Sequence, residues 1–448
     1  MAVEFKLQNF FYPADILRLR QSLDKSQWYS EEKLQSFQLQ RLSLILNHAY
    51  TNVPYYRNLF NTLGLKPQDI KTLKDITKIP PLNKNTLKRN FKSLIANNAQ
   101  KFNPQLCHTS GTTGEPTAFY QDKPSNILEF CYYWRYWSWV GYKLGDQFAE
   151  LTLYHFLNKN INQVIDYSPL TGRLMLNPAQ LSHQRINTFI SALKKYKSQF
   201  LKGSPSSVYI LANLFKKNDT TPVKFKAIFT TGELLSPYQR EKIENTFSCK
   251  IIDSYGLMER TTAICQCPWG EYHINSDYGL LEIENASTSP SDNIINGRMI
   301  GTSFYNFAMP LIRYESNDII RITKNTKECK CGRGLPLCDT IVGRTQDILI
   351  TSDGRFLSNV FILLDLLEGV LWSQIVQEKI NRIKIKLVQD KNFSTKSLEK
   401  LTQHLRLLLG RESIIEVEYL PKNILPTLLT QKHKAVISNI PTDKPQSY

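Results

Sequence analysis

The sequence predicts a mixed α/β protein with a substantial parallel sheet, followed by a small C-terminal α+β domain. Two observations carry this. From about residue 105 to 320, short apolar runs end in Gly-containing turns and lead into helical segments, the rhythm of parallel strands with helical crossovers. From 348 onward the rhythm changes to an alternating run, one amphipathic helix and another alternating run. With 448 residues, 42% of them hydrophobic, the chain is long enough for more than one domain and a sizeable core.

In chain order, residues 1–100 form a helical lead-in with proline-marked breaks. Leu39–Tyr50 has apolar residues at helical spacing, and Val53-Pro54-Tyr55-Tyr56 starts another short element. Ile79-Pro80-Pro81-Leu82 breaks the chain before a lysine-rich helix around Thr86–Phe91. Phe130–Tyr142 is an aromatic-dense helix, read as core with one face turned to an acyl pocket. Lys224–Phe229 reads as a strand, Thr230-Thr231-Gly232-Glu233 as its turn and Pro237–Phe247 as a helix. Lys250–Asp253 is the next strand and Ser254-Tyr255-Gly256 its turn. Near the end, Ile380–Val388 and Ile414–Leu420 are strands. Between them lies a helix capped by Ser394 and closed by Gly410.

Composition removes several function classes. Charged residues at 21% and aromatics at 11% exclude a disordered or collagen-like polymer. No apolar run reaches the length of a membrane span, and the start Met1-Ala-Val-Glu-Phe-Lys lacks a secretory pattern, so a cytoplasmic location is expected. Lys plus Arg (56) exceeds Asp plus Glu (39), for a net charge of +17 that suits an anionic partner. The basic residues are spread without blocks, which disfavours nucleic acid and leaves anionic lipid, a nucleotide or coenzyme A as fitting anions.

The sharpest local signal is His108-Thr109-Ser110-Gly111-Thr112-Thr113-Gly114-Glu115-Pro116. Glycines within a run of hydroxyl residues let backbone N–H groups close around a phosphate chain. Further along stand Asp253-Ser254-Tyr255-Gly256-Leu257-Met258-Glu259, Arg313-Tyr314-Glu315-Ser316-Asn317-Asp318, Gly343-Arg344-Thr345-Gln346-Asp347 and Thr430-Gln431-Lys432-His433-Lys434. Taken in this order, the five motifs resemble the signatures of the adenylate-forming superfamily of acyl-CoA synthetases, luciferases and peptide-synthetase adenylation domains. Leu44–Arg57, Ile79–Lys84, Gly203-Ser204-Pro205-Ser206 and Cys331–Pro336 are similar to the phenylacetate–coenzyme A ligase branch, above all its CapK-like and coenzyme F390 synthetase-like members.

The resemblance implies a large N-terminal domain over 1–346 that binds ATP and an acid, and a mobile C-terminal domain over 347–448 with Asp347 as hinge. It implies that Ser110, Gly111, Thr112, Thr113, Gly114, Gly232, Glu233, Ser254, Tyr255, Gly256, Asp318 and Arg344 bind ATP. Glu259 would hold Mg²⁺, a hard cation suited to a carboxylate plus phosphate oxygens. Asp318 would accept the ribose hydroxyls, and Lys432 would neutralise charge at the reacting carboxylate and α-phosphate. The implied reaction is ATP-dependent acyl-adenylate formation followed by transfer to coenzyme A. Its alternatives are an amide- or ester-forming ligase of capsule or secondary-metabolite assembly, or a degenerate non-catalytic member. The expected partners are a small carboxylic acid, ATP and coenzyme A or an amine, with a homodimer admitted.

Cysteine placement supplies a second constellation. Cys267-x5-His273 and Cys329-x-Cys331 offer three thiolates and an imidazole, a full tetrahedral set for a structural Zn²⁺. Cys265 and Cys338 are alternates, and buried unpaired thiols are the competing reading.

Overall fold

The computed structural model describes residues 13–108, 117–152, 155–156, 159–160, 163–181, 184–217, 223–289, 294–323, 328–344, 349–350, 356–357, 360, 363–364, 367–425 and 435–440. Two compact units divide the chain. The first comprises residues 1–316 and 321–340, the second residues 317–320 and 341–448.

The first unit opens with the helices Pro13–Ser26, Glu31–Asn52 and Pro54–Thr62. Pro54 at the first helical position needs no amide donor, so the break at Val53 starts a new helix cheaply. The lysine-rich helix runs Lys84–Arg89, two residues earlier than its composition suggests, because the Asn83 side chain accepts from the Thr86 amide and sets the start. A short antiparallel pair follows, β1 (Gln105–His108) with β2 (Ala118–Gln121).

The central sheet then assembles from β3 (Phe148–Leu151), β4 (Ile165–Ser168), β5 (Arg173–Leu176), β6 (Phe200–Gly203), β7 (Ala227–Thr231), β8 (Lys250–Gly256), β9 (Ala263–Gln266) and β10 (Tyr272–Ile274). After it come β11 (Gly279–Ser289), β12 (Ile294–Ser303), β13 (Tyr314–Thr323), β14 (Leu337–Cys338) and β15 (Thr340–Arg344). Nine strands lie in the order β14-β10-β9-β8-β7-β6-β3-β5-β4. The middle five, β8, β7, β6, β3 and β5, are parallel, and the flanking strands pair antiparallel. The expected mixed sheet with a parallel centre is therefore present, its eight pairings divided four parallel to four antiparallel.

Its two faces are covered differently. On one face Leu174, Leu201, Ile228 and Ile251 pack with Phe189, Leu211, Phe215 and Phe247 of the helices Ile186–Lys195, Pro205–Lys217 and Pro237–Phe247. The last of these matches the sequence reading residue for residue. Ser236 and Gln239 cap each other reciprocally, both at 3.1 Å. On the other face the aromatic helix runs Lys123–Ser138 under an Asp122 cap. It ends four residues before Tyr142, and Gly141 takes φ +86° in the turn beyond it. Tyr133, Tyr136 and Trp137 lie buried against Phe148, Phe200 and Phe229, with Trp137 and Phe229 stacked at 4.8 Å. Arg135 of this helix is fully buried. It donates to Asp277 (2.5 and 3.1 Å), Asn275 (2.6 Å) and the Leu23 carbonyl (2.8 Å).

In the second unit, short strands β16 (Leu349–Ile350) and β17 (Phe356–Leu357) pair with each other. A four-stranded sheet has the order β20-β19-β18-β21, built from β18 (Val370–Lys379), β19 (Arg382–Gln389), β20 (Ile414–Tyr419) and β21 (Val436–Ser438). The helix Thr395–Leu409 carries the predicted Ser394 cap and the Gly410 stop, and Leu401 and Leu405 bury against Ile375, Ile383, Ile385 and Leu387. This is the expected α+β arrangement.

Candidate functional site

The parallel strands place their carboxyl ends in a row, and three of the sequence motifs hang from that row. Thr231, the last residue of β7, pairs with Ser254 on β8. The turn Gly232-Glu233 leaves directly from β7, with Gly232 at φ +87°, where a side chain would be strained. Ser254-Tyr255-Gly256 are not a turn: β8 runs on through them, because β9 pairs its other edge at Cys265, Ile264 and Ala263. Gly203, which closes β6, packs tightly: a Cβ there would stand 3.0 Å from Val208 and 3.1 Å from Leu151.

Local bonds hold this end of the sheet. Ser254 Oγ donates to the Thr230 carbonyl at 3.2 Å and meets Tyr136 Oη at 3.2 Å. Asp253 accepts from Thr230 Oγ1 at 2.5 Å and from Tyr272 Oη at 2.8 Å, and burial pushes its carboxyl up to about 6. Beyond the strand, Gln121 Nε2 donates to the Met258 carbonyl at 2.7 Å. Glu259 is only 6% exposed, and Tyr314 Oη donates to its Oε1 at 2.6 Å. Arg313, just before Tyr314, has a structural task. At φ +53° it donates to Glu282 (3.0–3.1 Å) and to the Ile79 carbonyl (2.6 Å).

Gly232, Glu233, Ser254, Tyr255, Gly256 and Glu259 thus converge on one end of one sheet. Asp318 is buried on β13, among the residues of the second unit. Arg344 ends β15, and its side chain lies outside the described residues. So do Ser110, Gly111, Thr112, Thr113, Gly114, Asp347 and Lys432. Tyr136, Tyr272 and Tyr314 were not expected at the site. None was read as a site residue, although Tyr314 lies in the Arg313–Asp318 motif, and only the packing of distant elements brings their hydroxyls to Ser254, Asp253 and Glu259.

The second constellation assembles fully. The ligand atoms of Cys267, His273, Cys329 and Cys331 lie within 4.8 Å of one another. Cys267 Sγ is 3.6 Å from Cys329 Sγ, and Cys331 Sγ is 3.3 Å from His273 Nε2. The other ring nitrogen, Nδ1, lies 3.1 Å from the Leu335 carbonyl, which fixes the tautomer that leaves Nε2 to a metal. Burial lowers His273 to about 4, so the ring stays neutral at physiological pH, as a ligand must. Cys265 and Cys338, the alternates, are buried outside this group.

Comparison with known proteins now decides the family. The pattern of the AMP-binding enzyme family matches residues 62–282, and that of the CapK C-terminal domain matches residues 349–439. The chain is an adenylate-forming, CapK-like protein. By family it is an AMP-forming ligase. The CapK-like chain is 24% identical to Protein CapK of Staphylococcus aureus, across 96% of its own length and 92% of that protein. It is 26% identical to a phenylacetate-coenzyme A ligase of Pseudomonas putida, covering 76% of each. Among solved structures, a 2-hydroxyisobutyryl-CoA ligase in its postadenylation state superposes with TM-score 0.66 at 17% identity, covering 89% of this chain and 88% of that one. That likeness concerns the fold. Among the described residues, no helix is long and apolar enough to cross a membrane.

Proposed function

We propose that this CapK-like chain joins a small carboxylic acid to the α-phosphate of ATP and then passes the acyl group to coenzyme A. In the first step a carboxylate oxygen attacks the α-phosphorus, the α–β bridging P–O bond breaks, and pyrophosphate leaves with the electron pair. In the second, the coenzyme A sulfur attacks the acyl carbon and AMP departs. The observation that carries this reading is the convergence of Gly232-Glu233, Ser254-Tyr255-Gly256 and Glu259 on the carboxyl ends of adjacent parallel strands, where open α/β sheets take their ligands. The relatives named phenylacetate-coenzyme A ligase support the choice of acceptor.

In this reading the loop Ser110–Gly114, the Gly232-Glu233 turn and β8 cradle the nucleotide, and Asp318 holds the ribose. Glu259, oriented by Tyr314, is a single carboxylate suited to hold Mg²⁺ with phosphate oxygens completing its shell. Lys432 neutralises the charge that develops at the α-phosphate, Arg344 contacts the nucleotide, and Asp347 is the pivot between half-reactions. Cys267, His273, Cys329 and Cys331 would hold a structural Zn²⁺. Four protein ligands leave no open position, so the metal would tie chain segments together without touching substrate.

Carboxylate-dependent exchange of labelled pyrophosphate into ATP tests the first step, and coenzyme A-dependent AMP release tests the second. The expected result is exchange with one class within a broad acid panel, abolished in Lys432→Ala. Absence of exchange with every acid would remove the reading.

A further inference from the structure

The four donors of the cysteine–histidine cluster divide into two pairs. Cys331 Sγ lies 3.3 Å from His273 Nε2, and Cys267 Sγ lies 3.6 Å from Cys329 Sγ. The second pair is thiol against thiol, from positions 62 residues apart in the chain. A closing movement of about 1.5 Å would bring its two sulfurs to bonding distance. Burial across the pair is graded. Cys267 is 1% exposed, whereas Cys329 as a residue is half-buried, so a small solute meets Cys329 first. Of the remaining thiols, Cys131, Cys265 and Cys338 are buried. Cys107 and Cys249 are half-buried, and among the described residues neither belongs to such a group of donors.

The two segments that carry the pair are seated by contacts that need no metal. Behind Cys329 and Cys331, the Gly334 amide donates to the Gln27 carbonyl at 2.9 Å, and the backbone there leaves no room for a Cβ against the Tyr29 carbonyl. Arg333 Nε donates to Gln27 Oε1 at 3.1 Å, and its guanidinium lies 4.0 Å from the Trp139 ring and 5.1 Å from that of Trp28. Cys267 sits in a turn closed on itself. Its amide donates to the Glu271 carbonyl and its carbonyl accepts from the Gly270 amide, both at 2.9 Å. Protein contacts thus hold both thiols in place, and each sulfur stands at a high effective concentration for the other.

We propose that Cys267 and Cys329 are a reversible oxidation site, and that their disulfide takes over the metal's task of tying the two segments together. The oxidant is a hydroperoxide, hydrogen peroxide in the simplest case. The Cys329 sulfur attacks one peroxide oxygen, the O–O bond breaks and hydroxide leaves. The Cys267 sulfur then displaces a second hydroxide from the sulfenic acid as the S–S bond forms. The thiols give two electrons to the peroxide, and their two protons turn the hydroxides into water. Cys331 and His273 remain, too few to complete a four-coordinate structural site, so disulfide and metal exclude each other. Yet both close the same loop of 62 residues, and closure of that loop restricts the unfolded chain in either case. The exchange of ties rests on the zinc reading above, whereas the oxidation site rests on the thiol geometry alone.

The test compares the full chain in three states: reduced with zinc, reduced with a strong chelator, and chelated then oxidised with hydrogen peroxide. Peptide mass mapping of the oxidised state should show Cys267 joined to Cys329, with Cys107 and Cys249 unbridged and the joined peptides parting under dithiothreitol. The reduced, chelated chain should melt about 5 °C below the zinc form, and oxidation should restore it to within about 2 °C. Cys331→Ser, which lacks the fourth donor but keeps the pair, should regain melting temperature on oxidation in the same way, and Cys267→Ser should not. A bridge elsewhere, or cysteines carried to sulfinic acid with no bridge, overturns the oxidation site. A Cys267–Cys329 bridge that leaves the melting temperature at the chelated value overturns the exchange of ties. If the chelator does not move the reduced chain, the zinc reading fails and the exchange falls with it, while the mapped bridge still decides the oxidation site. The map needs only the wild-type chain, so a poorly folding variant leaves it decisive.

Discussion

Replacing Cys331 by Ser removes one of the four donors gathered from two segments of the chain, residues 267–273 and 329–331. A metal bridging Cys267 and Cys329 closes a loop of 62 residues. The closure entropy, (3/2)RT ln 62, amounts to about 3.7 kcal/mol that the unfolded chain regains once the bridge is lost. The first unit, residues 1–316 and 321–340, unfolds with an entropy of roughly 0.7 kcal/mol per kelvin at typical per-residue values. The loss therefore corresponds to a fall in melting temperature of about 5 °C. Metal analysis of purified wild-type protein should find about one zinc per chain, and Cys331→Ser well under half of that. A strong chelator should lower the wild-type melting temperature by a similar amount and leave the variant unmoved, which separates loss of metal from loss of thiol packing. Wild-type protein that is active without metal, or a variant that melts within about 1 °C of wild type, would refute the argument.

Three other outcomes are expected. Tyr314→Phe removes the 2.6 Å bond to Glu259, a bond to a charged group worth about 1.5–3 kcal/mol; the magnesium concentration for half-maximal exchange should rise roughly tenfold or more, while nucleotide binding measured without magnesium stays unchanged. Asp253 is held at about 6 by burial, above its ordinary value of 3.8, so the folded state binds the extra proton. Its contribution is fully present below about pH 4 and is lost as pH rises through 6, by up to about 3 kcal/mol; Asp253→Asn should flatten the stability profile over that window in urea titrations. Asp277→Ala would strand the fully buried Arg135 without its counter-charge, a loss of about 3–5 kcal/mol readable as a lower denaturation midpoint.

Local grammar made part of this architecture legible. The helix Pro237–Phe247 announces itself by Ser236, Pro237 and Gln239, and the helix Thr395–Leu409 by Ser394 and Gly410, all signals that act within a few residues. Strand ends were misread where partners rather than local preference decide them. Thr230 and Thr231 look like turn residues, yet pairing with Asp253 and Ser254 keeps them in β7. Ser254-Tyr255-Gly256 stay extended because β9 lies alongside. The meeting of Cys267, His273, Cys329 and Cys331 was legible because Cys and His are rare and chemically marked, although Cys265 and Cys338 stayed in play. The buried ion pair of Glu150 with Lys202, at 3.1 Å, was not legible. Each is a lone charge in a short apolar strand, and their meeting depends on β6 returning to the side of β3 opposite β5.

Ser254, Cys265, His273 and Leu337 occupy one straight rung across β8, β9, β10 and β14. Side chains along a strand alternate between faces, so sliding β10 by a single residue would turn the His273 ring away from the thiols and unseat the rung that carries Ser254. Three antiparallel strands of three, four and two residues have little pairing energy with which to reject such a slip. With a metal in it, a four-donor cluster that closes in one alignment alone would act as a checksum on strand register: misaligned chains could not complete it, and this end of the sheet would lock only when the count is right.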